Sequence, residues 1–86
     1  MGSYEEILAV TTEIMQRHVD RDRVVLPTDH IQNDLGLDSL GVMEIVADIE
    51  DRFELTIPND ILGGLSTVGD VAQALTRLRE SQAGAP

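Results

Sequence analysis

The sequence predicts an all-α fold: a four-helix bundle with three longer helices, one short helix, and a long loop between helices 1 and 2. Three observations predict it. Apolar residues recur at helical spacing in three separate stretches. Helix-start residues stand just before or at the head of each stretch. No segment alternates polar and apolar residues for long enough to make a strand.

The first stretch covers residues 3–19, with Ile7, Leu8, Thr11, Ile14, Met15 and His18 on one face. Ser3 and Glu6 have the spacing of a capping box, in which each side chain satisfies an orphan backbone N–H of the first turn. Residues 20–38 show no period and carry Asp20, Asp22, Pro27, Asp29, Asn33, Asp34 and Gly36, all turn or cap formers. A connection of 19 residues is long for a compact domain and points to a functional loop. Its apolar residues, Val24, Val25, Leu26, Ile31, Leu35 and Leu37, are expected to pin it to the core. The second helix is expected over residues 39–53, with Val42, Ile45, Val46, Ile49 and Phe53 inward and either Asp38 or Ser39 as its cap. Leu55, Thr56 and Ile57 before Pro58 read as extended. Residues 59–62 make a short helical turn that stops at Gly63 and Gly64. The last helix is expected over residues 68–79, with Val68, Val71, Ala72, Leu75 and Leu78 inward and Thr67 with Asp70 as its capping box. Residues 1–80 then form one domain, and residues 81–86, small and uncharged, a flexible C-terminal tail.

Composition narrows the function. The 86 residues carry 16 acidic and six basic side chains, all arginine, for a net charge of −10. Such a surface repels phosphate backbones, so nucleic acid is not an expected partner. Basic protein patches are, by electrostatic steering. With no cysteine there is no disulfide, thiolate zinc site or cysteine nucleophile. No apolar run reaches the roughly 18 residues of a membrane span, and the N-terminal residues lack the basic and apolar regions of a signal peptide. Cytoplasm is the expected location.

Little in the chain suggests catalysis. His18 and His30 lie on different segments, and His18 reads as a packed or boundary histidine. The acidic residues do not have calcium-loop spacing. Leu37-Asp38-Ser39-Leu40-Gly41 is half of a nucleophile elbow, without its leading glycine or the strand before it. The carboxylates sit on a solvated helix face, not in a buried site that would shift their pKa values. The expectation is that the chain is not an enzyme. Ser39, at the junction of loop and helix, has two readings. It is a helix cap, or an exposed hydroxyl whose neighbouring N–H groups favour a phosphoryl group placed there.

The run Leu35-Gly36-Leu37-Asp38-Ser39-Leu40 resembles the attachment motif of acyl carrier proteins. The other landmarks follow in family order: Glu50-Asp51-Arg52-Phe53, Ile57-Pro58 with Asp60, and Thr67-Val68-Gly69-Asp70-Val71. The resemblance spans residues 4–78. It implies that Ser39, flanked by Asp38 and Leu40, carries 4′-phosphopantetheine added from coenzyme A by a phosphopantetheinyl transferase with Mg²⁺. The thiol of that arm would hold acyl groups as thioesters. The expected partners are that transferase and the ketosynthase, acyltransferase and other enzymes of fatty-acid or polyketide synthesis, visited by a monomer. Residues 38–54 hold six acids and one base, and Glu44, Asp48 and Asp51 share a helix face. By the resemblance this face, with Asp38 and Glu50 beside it, docks basic patches on the partners; otherwise it is a solvated face, with Asp48 and Arg52 as an i,i+4 pair. Gly41 departs from the family pattern, which often has an acidic or larger residue two after the modified serine; it removes a possible contact and is expected to loosen the helix start. Val46, Ile49, Ile57, Ile61, Leu62 and Ala72 would line an acyl-chain channel, or are ordinary core.

Two other readings stand beside this one. A peptidyl carrier of nonribosomal synthesis commonly has Gly-Gly before a His or Asp and the serine, and Leu37-Asp38 favours the acyl type. An acidic helical interaction module, never modified, would use Ser39 only as a cap.

Overall fold

The structure is a computed structural model that describes residues 4–20 and 22–83. Its order is α1 (Tyr4–Gln16), α2 (Ser39–Phe53), α3 (Asn59–Leu62) and α4 (Val68–Ala83). This is the bundle of three longer helices, one short helix and a long first loop that the periodicity predicts. Helix α1 packs against both α4 and α2. Ile7, Ile14 and Met15 of α1, Ile45 and Ile49 of α2, and Val68, Val71, Ala72, Leu75 and Leu78 of α4 form the buried core. Thr11, also fully buried, satisfies its hydroxyl by donating to the Ile7 carbonyl at 2.7 Å.

Helix α1 ends three residues earlier than expected. The N–H groups of Arg17 and His18 turn to the carbonyls of Ile14 and Met15, three residues back, which tightens and closes the last turn. Gln16 then holds the returning chain. Its amide nitrogen donates to the Arg23 carbonyl, and its Oε1 accepts from Val25 N–H at 3.1 Å. Ser3, the expected cap, lies outside the described residues. Helix α4 runs past the expected Arg79 through Ala83, so it takes in residues assigned to the tail. Nothing in Glu80-Ser81-Gln82-Ala83 breaks a helix.

The long loop is pinned, but not by all the residues expected. Val25 and Ile31 are buried and Leu35 and Leu37 half-buried. Val24 and Leu26 face solvent, 68% and 50% exposed, because the loop is held chiefly through its backbone. Ile31 N–H donates to the Ser66 carbonyl, Val68 N–H to Asp29, and Gly69 N–H to Pro27, at 2.8–3.0 Å. His30 and Thr67 face each other in an isolated antiparallel bridge. The loop thus lies along the entry to α4. Asp29, buried, ties the turn before the bridge by accepting from Leu26 N–H and Arg23.

Two helix ends show their local chemistry plainly. Thr67 and Asp70 form the predicted capping box: Asp70 N–H donates to Thr67 Oγ1, and Asp70 Oδ2 accepts from Thr67 N–H, both at 3.1 Å. Helix α2 ends at Glu54, which adopts the left-handed conformation with φ 54° and returns its N–H to the Glu50 carbonyl. A side chain in that conformation costs about 1–2 kcal/mol.

The Thr67 N–H, helped by that of Ser66, holds the Asp70 carboxyl below the usual carboxylate range. A folded-state pKa below the unfolded value of about 3.9 adds stability above that pH and loses it as pH falls through the folded value. Asp70→Asn is therefore expected to lower the denaturation midpoint at pH 7 and to have a shrinking effect below pH 4, read by urea titration across pH. Thr67→Ala should cost about 1 kcal/mol. Glu54→Gly should gain about 0.5–1 kcal/mol, and no gain would mean that the left-handed cap is unstrained.

Candidate functional site

The site is built where the pinned loop delivers the chain to α2. Gly36 takes φ 70°, a conformation that glycine adopts without steric cost. Leu37, half-buried, donates its N–H to the Ile31 carbonyl. Asp38 is extended and caps the helix, its Oδ1 accepting from Gly41 N–H at 2.8 Å and its carbonyl from Val42 N–H at 2.9 Å. Asp38, not Ser39, is thus the cap. Ser39 is the first helical residue, exposed, and its hydroxyl has no hydrogen-bond partner among the described residues.

Gly41 does not loosen this start, since its N–H is the one that Asp38 holds. A side chain there would come within 3.3 Å of both Asp38 Oδ1 and the Leu37 side chain. Beside Ser39, Leu40 and Met43 are 66% and 65% exposed. The apolar face they make was not legible as such; its only sequence signal is large apolar residues off the inward stripe of α2.

The acidic residues divide into two groups. Glu44 and Asp51 are exposed and make no ion pair among the described residues. Asp48 turns to His18 Nε2 at 2.8 Å, not to Arg52, and joins α2 to the end of α1. His18 is accordingly the boundary histidine that its position suggested. Glu50 is half-buried, and its carboxylate accepts from Ile57 N–H at 2.8 Å, which folds the chain back after α2.

Behind α2 lies a cavity of about 240 Å³. Val42, one turn from Ser39, lines it together with Ile45, Val46 and Ile49. Ile57, Leu62 and Val71 line its far side, and His30, Gln32 and Ser66 give it polar groups. Of the six residues expected at a channel, Val46, Ile49, Ile57 and Leu62 are there. Ile61 and Ala72 are not: Ala72 is fully enclosed in the core, and Ile61 packs onto the core from outside.

The chemistry open to this arrangement is attachment. An exposed hydroxyl at the positive end of a 15-residue helix suits a phosphodiester. With its cap supplied by Asp38, Ser39 can take a substituent without unmaking the helix start.

The comparisons with known proteins agree. Residues 5–75 match the family profile described as the phosphopantetheine attachment site. The chain is 43% identical to an acyl carrier protein of Exiguobacterium sibiricum, over 78% of this chain and 86% of that one. It is 41% identical to an acyl carrier protein of Beutenbergia cavernae, over 95% of this chain and 98% of that one. A solved Mycobacterium tuberculosis structure, itself assigned to the acyl carrier proteins, superposes with a TM-score of 0.77 at 27% identity, over 83% of this chain and 96% of that one. With a matching profile over most of its length, close relatives and a shared bundle, the chain belongs to the acyl carrier protein family, whose members are carriers and not catalysts.

Proposed function

We propose that Ser39 is the residue that carries the 4′-phosphopantetheine arm, and that the protein presents acyl groups to the enzymes of fatty-acid or polyketide synthesis. The observation that supports this most is that Ser39 is exposed at the helix start while Asp38 does the capping, so the hydroxyl bonds to nothing among the described residues. The arm supplies a thiol, which this chain itself lacks, on which acyl groups are held as thioesters. Leu37 and Asp38 ahead of the serine favour an acyl carrier over a peptidyl one.

The chain's own residues orient the site. Asp38 and Leu40 flank the attachment point, and Glu44 and Asp51 extend a negative face along α2. This face suits basic patches on a phosphopantetheinyl transferase, a ketosynthase and an acyltransferase, each visited in turn by a cytoplasmic monomer. Asp48 and Glu50 contribute charge to the face while holding α1 and the Ile57 turn. The cavity behind α2 would accept part of the acyl chain, with Val46, Ile49, Ile57 and Leu62 on its walls.

Incubation with coenzyme A, Mg²⁺ and a broad-specificity transferase should add one phosphopantetheinyl group, mapped to Ser39 by mass spectrometry. Ser39→Ala should abolish the gain at a stability cost of about 0.5 kcal/mol or less, as for an unbonded surface residue. A folded wild-type chain that gains no mass, beside a control carrier that does, would favour the unmodified interaction module. Glu44→Lys with Asp51→Lys should lower loading efficiency about tenfold at low salt, and the deficit should shrink as salt shortens the Debye length. Loading that ignores both the reversal and the salt would remove the docking face.

A further inference from the structure

Helix α2 leaves two large apolar side chains in solvent among the described residues, Leu40 and Met43. The backbone of a helix is covered by its own turns, so this exposure belongs to the side chains. Met43 stands four residues after Ser39 and three after Leu40, which puts the three on one face with about 5–6 Å between neighbouring Cβ atoms. Helical side chains lean toward the N-terminus and cover the turn before their own Cα. The Met43 thioether therefore belongs to the surface that adjoins the Ser39 hydroxyl.

Oxidisable sulfur is distributed unevenly over the chain. Of its three methionines, Met1 lies outside the described residues and Met15 is sealed in the core, 1% exposed. There is no cysteine to consume an oxidant first. A peroxide must reach the sulfur to react, so Met43 is open to it and Met15 is shielded. In that reaction the S–O bond forms as the peroxide O–O bond breaks. The proton of the transferred oxygen passes to the departing hydroxide, which leaves as water. Sulfur loses two electrons and the peroxide gains them. The product is a polar sulfoxide in place of a flexible apolar side chain, and reductases reverse it.

We infer that Met43 is a site of reversible oxidative modification, and that peroxide acting there lowers transfer of the phosphopantetheine arm to Ser39. This rests on the carrier reading above and adds a regulation of its docking surface. A partner that reaches Ser39 must cover the surface around it, and a sulfoxide covered without a hydrogen-bond donor is costly. Leu40 alone would then remain of the large apolar side chains beside the serine. Glu44 and Asp51 are untouched and continue to steer the encounter. The loss thus falls on how tightly the docked complex holds, and salt does not relieve it.

The full chain without its arm would be treated with hydrogen peroxide, the excess removed with catalase, and the added oxygen located by peptide mass mapping. Met43 is expected to take up one oxygen as fast as free methionine does, while Met15 stays reduced. The thermal midpoint should not move, because Met43 is not part of the core cluster or of the residues packed on it. Loading from coenzyme A by the broad-specificity transferase should become about tenfold less efficient, as for one apolar contact made polar, at low and high salt alike. Met43→Gln, polar and of similar length, should show that deficit without peroxide. In Met43→Leu the ratio of loading before and after peroxide should stay close to one. Reductases for the two sulfoxide epimers should restore the oxidised chain. Protection of Met43 equal to that of Met15, equal loading of the oxidised and reduced chains, or a peroxide loss that persists in Met43→Leu would overturn the inference. An untreated chain that gains no arm would instead remove the carrier reading, and this inference with it.

Discussion

The backbone pairing of the long loop with the entry to α4 is the constraint on which the rest of the molecule depends. Ile31, Val68 and Gly69 give their N–H groups to carbonyls across that seam. The seam turns a connection without periodicity into a wall of the bundle. It places His30 and Ile31 on one side of the cavity and brings the chain around Gly36 to Asp38 at the start of α2. Without it the loop would have two buried apolar anchors, Val25 and Ile31, and two half-buried ones, Leu35 and Leu37, to offset an ordering that costs about 1–2 kcal/mol per residue in backbone entropy. The hydrogen bonds satisfy donors that the fold would otherwise leave unpaired.

The functional end of the molecule follows from a division of labour between neighbours. Asp38 satisfies the first turn of α2, which leaves the adjacent hydroxyl of Ser39 exposed, with no partner among the described residues. On the rest of the helix the acids divide in a similar way. Asp48 and Glu50 bind parts of the fold, whereas Glu44 and Asp51 carry charge outward. One acidic helix thus both ties the bundle and carries the charge of the proposed docking face, and the two sets can be mutated separately.

How much of this was legible in the sequence depends on how local each feature is. The helices, the turn at Asn59–Leu62 and the Thr67–Asp70 box were read from periodicity and short-range chemistry, because their determinants lie within a few residues of one another. Ser39 and Asp38 were equivalent as caps in the sequence; only backbone geometry separates them. The seam could not be read at all, since it joins residues 35 to 42 positions apart through main-chain groups that every sequence has. The same holds for the exposure of Val24 and Leu26, which nothing in an aperiodic stretch distinguishes from the buried Val25. Ala72 was placed at the cavity for lying on the inward stripe of α4, but inward on a helix means both core and cavity, and a small side chain goes to the core. The role proposed for Ser39 rests, within the sequence, on the family resemblance alone, because a lone serine at a helix start is ordinary chemistry.

Amide hydrogen exchange at Ile31, Val68 and Gly69 tests the central claim most directly, because those N–H groups are the seam itself. If the seam holds the fold together, all three exchange as slowly as the core amides of α4 around Leu75, through opening of the whole domain. Exchange at the rate of an open loop, with the α4 core still protected, would contradict the account and leave the cavity wall and the entry to α2 without their support.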